Sequence, residues 1–173
     1  YNFGISALLM LVTTTATAVL TEYLYQKLMH KKITVTDYSA ALTGLLLGLN
    51  MPPTAPLWMG ALGSIFAILV VKQVFGGLGQ NFMNPALGAR CFLLLSFTQI
   101  MTNFDCDAYT GATPLALVKE NGSVNILHMV IGKTAGTIGE TSMIAILIGA
   151  CILLIMGVID LRVPGTYLVS FVI

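Results

Sequence analysis

The chain has 173 residues, of which 57% are hydrophobic and only 9% charged, too little charge to cover the surface of a soluble domain of this size. The formal net charge is +1 and no run of basic residues forms a stripe, which leaves no footprint for nucleic acid. The apolar residues gather in long runs, Phe3–Leu20, Leu57–Val71, Cys91–Phe97 and Met143–Ile159. The composition therefore predicts an all-α polytopic membrane protein, a multi-span helical bundle forming a single transmembrane domain over 1–173.

The first span is expected from about Gly4 to Tyr25, followed by a basic cluster, Lys27, His30, Lys31 and Lys32. Glu22 lies between this span and the cluster, flanked by Tyr23 and Tyr25, and reads as a structural acid pairing with a basic residue. The next apolar piece, Ser39–Met51, stops at Pro52-Pro53-Thr54-Ala55-Pro56. Roughly 13 helical residues rise only about 20 Å, short of a ~30 Å hydrocarbon core. Backbone broken by proline at such depth is tolerated where it is buried in protein or lines a cavity, so the piece reads as a broken helix of the transporter type. Asp37, just ahead of it, is a candidate for an ion pathway, because acids at or within spans mark such paths. As a first-turn acid it would also simply complement the helix dipole.

A full span is expected from Leu57 to Phe75, then the glycine-rich turn Gly76-Gly77-Leu78-Gly79-Gln80-Asn81. That turn lacks the Gly-Lys-Ser/Thr ending of a phosphate loop and reads as a helix–helix turn. Asn84 and Pro85 have the character of an N-cap and first helical residue, opening a span that ends near Met101. Arg90, inside that span, needs an acidic or carbonyl partner unless it snorkels to the interface. Residues 102–136 form the polar segment, and Thr137-Ile138-Gly139-Glu140 reads as a capping box for a span over Thr141–Ile159. A tight Asp160-Leu161-Arg162 loop precedes a last span that starts near Pro164 and is cut short, so the chain reads as part of a longer protein. Cys91, Cys106 and Cys151 fit no zinc, haem or iron–sulfur spacing, and no metal is expected. With Lys27–Lys32 on the cytoplasmic side, alternate crossings bring Lys72, Arg90 and Arg162 there as well, and the polar segment falls on the outer face. That count shifts by one if Ser39–Met51 re-enters instead of crossing.

The polar segment holds Asp107-Ala108-Tyr109-Thr110-Gly111-Ala112-Thr113. Its pattern, D-x-x-[S/T]-G-A-T, resembles the site where a flavin transferase esterifies FMN onto a threonine hydroxyl. The chemistry suits the residues. Gly111 and Ala112 leave room for a modifying enzyme and for the flavin ring, and Pro114 holds Thr113 out of helical conformation. Asp107 is placed to orient the segment in the modifying enzyme. By itself the heptad is also what an ordinary loop of small, turn-forming residues looks like.

Its context adds to it. The stretches Leu49-Asn50-Met51-Pro52-Pro53-Thr54-Ala55-Pro56-Leu57-Trp58, Lys72–Asn81, Asn84-Pro85-Ala86, Thr110-Gly111-Ala112-Thr113-Pro114-Leu115 and Gly136–Ser142 occur in this order. From Thr21 to its end the chain resembles the family that holds the D subunit of the Rnf complex, a membrane ferredoxin:NAD⁺ oxidoreductase. The B subunit of the sodium-pumping NADH:quinone reductase is a close relative, though the Gly-Gly-Leu-Gly-Gln-Asn and Ala-Thr-Pro-Leu wording looks more like the Rnf member. The resemblance implies a urea-transporter-like helical fold in the cytoplasmic (inner) membrane of a prokaryote. It implies electron transfer coupled to movement of Na⁺ or H⁺, partner subunits, and a flavin transferase during maturation. Thr113 matches the FMN-bearing threonine, with Asp107, Thr110, Gly111 and Ala112 around it. A second, non-covalent flavin (riboflavin) is implied near Asn81 and Asn84, and Glu140 lies at the end of the flavin segment.

No nucleophile–base or acid pair stands out, so no catalytic residue is assigned and the expected role is electron relay. The competing class is a transporter or channel component without a redox cofactor, to which the broken helix and the small residues Gly44, Gly48 and Gly60 are equally suited. A scaffold for partner subunits is a third reading. The flavin heptad separates the first reading from the other two.

Overall fold

The computed structural model describes residues 4–104, 130, 132 and 136–172. Among these it has seven α-helices and no strand: α1 (Gly4–Leu28), α2 (Ser39–Leu49), α3 (Leu57–Phe66), α4 (Pro85–Ser96), α5 (Thr98–Met101), α6 (Met143–Ile155) and α7 (Arg162–Val172). Helix α3 runs on without interruption as a π-helix over Ala67–Gln73. Among the described residues, only α1 is by itself long and apolar enough to cross a bilayer.

Burial on α1 follows one stripe, Ala7, Met10, Thr14, Ala18, Glu22 and Gln26. The opposite surface carries Ile5, Leu8, Val12, Leu20 and Leu24, all well exposed. The buried stripe is half polar and the exposed surface is largely apolar, a face unlike that of a water-soluble helix. Ser64, Lys72 and Gln73 of the α3/π helix are buried in the same sense. Helix α6 is apolar all round and has no buried residue, with Ile144, Ile146, Leu147 and Ile148 exposed. Surfaces of this kind are stable against lipid or against other membrane helices.

Two glycines let α2 lie against α1. A Cβ on Gly44 would stand 2.6 Å from the Thr14 carbonyl oxygen and 2.7 Å from Thr15 Cα, and one on Gly48 would stand 2.6 Å from Thr14 Oγ1. The Gly44-x3-Gly48 spacing puts both on one face, where absent side chains bring the backbones together. Helix α3 is tied to the same segment of α1 by Ser64 Oγ, which donates to the Thr14 carbonyl at 3.0 Å. Thr14 Oγ1 is itself satisfied by the Met10 carbonyl at 3.0 Å.

Contacts fix the direction of each element. Ser39 at the start of α2 and Lys72 at the end of the π-helix meet at the Glu22–Gln26 end of α1. At the opposite end Thr54 donates to the Asn103 carbonyl at 3.0 Å, Trp58 packs edge-on against Phe97, and Met10, Met51, Ala55, Met59, Leu93 and Met101 form a core cluster. Helix α2 therefore runs from the Glu22 end of α1 toward its Met10 end, and α3 with the π-helix returns.

Several expectations from the sequence are corrected. The span from Asn84 toward Met101 is interrupted at Phe97, whose φ of −132° and ψ of 48° are not helical. The capping box at Thr137–Glu140 does not start α6: those residues form a turn, with Thr137 Oγ1 3.1 Å from Glu140 Oε2, and Ser142 is the N-cap, accepting from Ala145 N at 3.4 Å. Helix α6 stops at Ile155, short of the expected Ile159. Gly157, at φ +67°, sits in the left-handed region, and the bonds Gly157 N–Leu154 O and Val158 N–Leu153 O close a Schellman end. Arg90 takes a carbonyl partner instead of snorkelling: it donates to the side-chain oxygen of Asn50 at the end of α2, Oδ1, at 2.7 Å.

Candidate functional site

At the end of the bundle where α1 stops, the chain must turn back into α2. It does so with two left-handed non-glycine residues, His30 at φ 51° and Tyr38 at φ 59°. His30 closes α1 as a Schellman end, with Lys31 N bonded to Gln26 O and His30 N to Lys27 O. The connection then makes a short 3₁₀ turn, Val35–Asp37, and Tyr38 precedes α2. Thr34 N donates to Gln26 Oε1 at 2.9 Å, which pins the loop to α1.

This turn closes over a buried charged cluster. Glu22 and Lys72 side chains are 1% and 2% exposed and form an ion pair at 2.8 Å. Gln73 Nε2 donates to the same carboxylate oxygen, Glu22 Oε1, at 2.7 Å, and Gln26 Nε2 does so at 3.2 Å. Gln26 Nε2 also reaches Thr34 Oγ1 at 2.8 Å. The second oxygen, Glu22 Oε2, is buried and has no hydrogen-bond partner among the described residues. The π-helix is what delivers Lys72 and Gln73 together. Its wider turn, seen in the Val74 N–Leu69 O bond, leaves Val71, Lys72 and Gln73 consecutively buried.

From the cluster a line of polar groups leads outward. Lys72 Nζ donates to Ser39 Oγ at 2.6 Å, and Ser39 Oγ donates to Asp37 Oδ1 at 2.6 Å, while Ser39 N donates to the same oxygen at 2.8 Å. Asp37 is exposed. Partial burial raises its carboxyl, but the two hydrogen bonds from Ser39 and the attraction of Lys72 outweigh this and hold it below the ordinary carboxylate value. Two carboxylates, one buried and one at the surface, thus share a single lysine.

The residues expected to bind flavin are placed unevenly. Asp107, Thr110, Gly111, Ala112 and Thr113 lie outside the described residues. Asn84 caps α4 as expected, its side chain accepting from Ala86 N at 3.0 Å, so that oxygen is already engaged. Asn81 Oδ1 is buried without a partner among the described residues, so it can still accept a donor. It follows the glycine turn, where Gly76, Gly77 and Gly79 all have positive φ. Glu140 accepts from Thr137, and its neighbours dock on the broken helix: Gly139 N donates to Leu49 O at 2.8 Å and Ile138 N to Met51 O at 3.2 Å. The end of the polar segment is thereby attached to the break after α2. Asp37 is brought together with Glu22, Lys72 and Ser39, a grouping the sequence did not announce. Glu22 does pair with a basic residue, as its sequence position suggested, and that residue is Lys72.

An apolar outer surface, buried polar groups on α1 and α3, and a buried ion pair under the α1–α2 turn define a membrane-embedded helical protein with charge inside its bundle. The chain belongs to the NQR2, RnfD, RnfE family, whose model matches residues 1–173. It is 48% identical, over its whole length, to the D subunit of the Na⁺-translocating ferredoxin:NAD⁺ oxidoreductase complex of Acetobacterium woodii, covering 57% of that protein. It is 40% identical over 95% of its length to the D subunit of the proton-translocating ferredoxin:NAD⁺ oxidoreductase complex of Clostridium ljungdahlii, covering 55% of it. The B subunit of the Na⁺-translocating NADH-quinone reductase of Azotobacter vinelandii is 37% identical over 76% of the chain, with 35% of that protein covered. The chain spans a little over half the length of the two ferredoxin:NAD⁺ oxidoreductase relatives.

Proposed function

We propose that this chain is the membrane core of a D-type subunit of an ion-translocating ferredoxin:NAD⁺ oxidoreductase, carrying FMN as a phosphoester on Thr113 and contributing to the path of the pumped cation. The observation that supports this most is the pairing of two things in one short chain. One is a flavin-acceptor heptad within whole-length similarity to the D subunits of such complexes. The other is a buried carboxylate–lysine pair joined to a surface carboxylate through Ser39.

In this reading FMN supplies reversible electron storage in a segment on the outer face of a prokaryotic cytoplasmic membrane. Thr113 holds it, and Asp107, Thr110, Gly111 and Ala112 shape the peptide that a flavin transferase modifies. A second, non-covalent flavin fits Asn81, whose buried oxygen lacks a donor among the described residues, better than Asn84, whose oxygen caps α4. The chain's own residues handle the cation. Asp37 collects it at the cytoplasmic surface, and Glu22 offers a dehydrated carboxylate inside. Na⁺ and H⁺ are both compatible with such a carboxylate, and the two ferredoxin:NAD⁺ oxidoreductase relatives differ in the ion their names state. The other subunits of the complex carry the reaction with ferredoxin and NAD⁺.

Peptide mass spectrometry tests the flavin half. Co-expression with an active flavin transferase should add the mass of FMN less one water to the peptide holding Thr113, and in-gel flavin fluorescence should vanish in Thr113→Ala but persist in Thr110→Ala. An unmodified Thr113 alongside a modified control protein would favour a cofactor-free transporter, which the broken α2 segment also suits.

A further inference from the structure

We propose that Lys72 is a tethered cation that fills the Glu22 site until the transported ion displaces it, so that Lys72 gates the ion path by exchanging partners between Glu22 and Asp37. The inference rests on the ion-pump reading above and adds its gate.

Four observations carry it. Lys72 and Glu22 are both almost fully buried and 2.8 Å apart, so the pair is shielded from solvent and salt. Only one oxygen of Glu22 is used: Lys72, Gln73 and Gln26 all converge on Oε1, while Oε2 is buried and unpartnered among the described residues. A buried carboxylate oxygen without a donor is costly, and a hard monovalent cation or a proton would satisfy it. Lys72 already holds a second partner, Ser39 Oγ at 2.6 Å, which directs its own proton toward Asp37. Finally, Asp37 is anionic and exposed, so the ammonium has somewhere to go without becoming an unpaired buried charge.

Charge balances in both positions. With Lys72 on Glu22, the buried site is neutral and closed to a second cation. With Na⁺ or H⁺ on Glu22, the site is again neutral, and Lys72 pairs with Asp37. The lysine's four-carbon stem and point-like ammonium suit such an exchange, whereas the rigid fork of an arginine does not. Ser39 bonds Asp37 through both its Oγ and its backbone N–H, which keeps the second partner within reach.

The test uses the whole complex in sealed liposomes, driven by its electron donor and acceptor. Ion uptake is read as ²²Na⁺ entry and, in sodium-free medium, with an internal pH dye. Electron transfer is followed in parallel. Lys72→Met removes the tethered competitor, so the half-saturating cation concentration should fall about tenfold and the ions moved per electron should drop at least about fivefold. Asp37→Asn, at an exposed position that leaves the buried pair intact, removes the alternative partner. It should raise the half-saturating concentration about tenfold. Opposite shifts are the signature, since a purely structural role would move both variants the same way. Should Lys72→Met fail to assemble, Ser39→Ala, which cuts the Lys72–Asp37 link and keeps both carboxylates, should raise the half-saturating concentration in its place, and no shift there would overturn the gate. Shifts in the same direction, or none in Asp37→Asn, with the wild type pumping, would overturn the gate. A wild-type complex that transfers electrons without moving either ion would instead overturn the pump reading beneath it.

Discussion

Removing Lys72 should be far more damaging alone than together with its partner. At 2.8 Å and an effective dielectric constant of about 20, the attraction between Lys72 and Glu22 is about 6 kcal/mol. Most of that offsets the cost of taking both charges out of water. What a variant feels is the charge left behind. In Lys72→Met, Glu22 keeps only the amides of Gln73 and Gln26 as donors, and the loss should be about 3–5 kcal/mol. In Glu22→Gln the lysine still has Ser39 Oγ at 2.6 Å with Asp37 behind it, so the loss should be smaller, about 1–3 kcal/mol. The double variant leaves no unpaired charge and should be more stable than the sum of the single losses by about 2–3 kcal/mol. Reversible unfolding of the full-length protein in mixed detergent micelles measures this cycle. If the single effects simply add in the double variant, within about 0.5 kcal/mol, the two groups do not interact as described and the reasoning fails.

Gly44→Leu should force α2 off α1, because even a Cβ there meets the Thr14 carbonyl at 2.6 Å; folded yield by size exclusion should collapse, whereas Gly149→Leu, facing open space, should fold normally. His30→Gly should stabilise the α1 terminus by about 1 kcal/mol, since its left-handed φ of 51° no longer meets a Cβ penalty, and slower amide exchange at Lys31 would report it. Asp37, held below its ordinary value, stabilises the α1–α2 turn fully above the unfolded carboxyl value of 3.8, and this contribution is lost as pH falls through its lower folded value. Acid unfolding below about pH 4 should therefore flatten in Asp37→Asn, and an unchanged profile would contradict the Ser39 contacts.

Much was legible in the sequence because it was local. Long apolar runs give membrane helices, Pro52–Pro56 breaks one, and Asn84-Pro85 opens another, each decided by nearby residues and a lack of water. The ends of α4 and α6 were misjudged for a related reason. Phe97, Ser142 and Gly157 set them through backbone geometry that an apolar run does not reveal.

The charged cluster was decided only by tertiary structure. In water, a helix marks its buried face by hydrophobic period. In lipid the outward face of α1 is as apolar as much of the inward one, so periodicity cannot tell which way Glu22 points. Its pairing with Lys72 depends on how closely α1, α2 and α3 approach, which the small residues Gly44, Gly48 and Ser64 permit, and on the π-helical turn that swings Lys72 and Gln73 inward together. The same holds for Arg90, whose partner Asn50 becomes available only because α2 ends beside α4. The sequence by itself determined an apolar, helical membrane chain and the break at Pro52–Pro56. Which of its few charges meet inside the bundle followed from the packing of helices far apart in the chain.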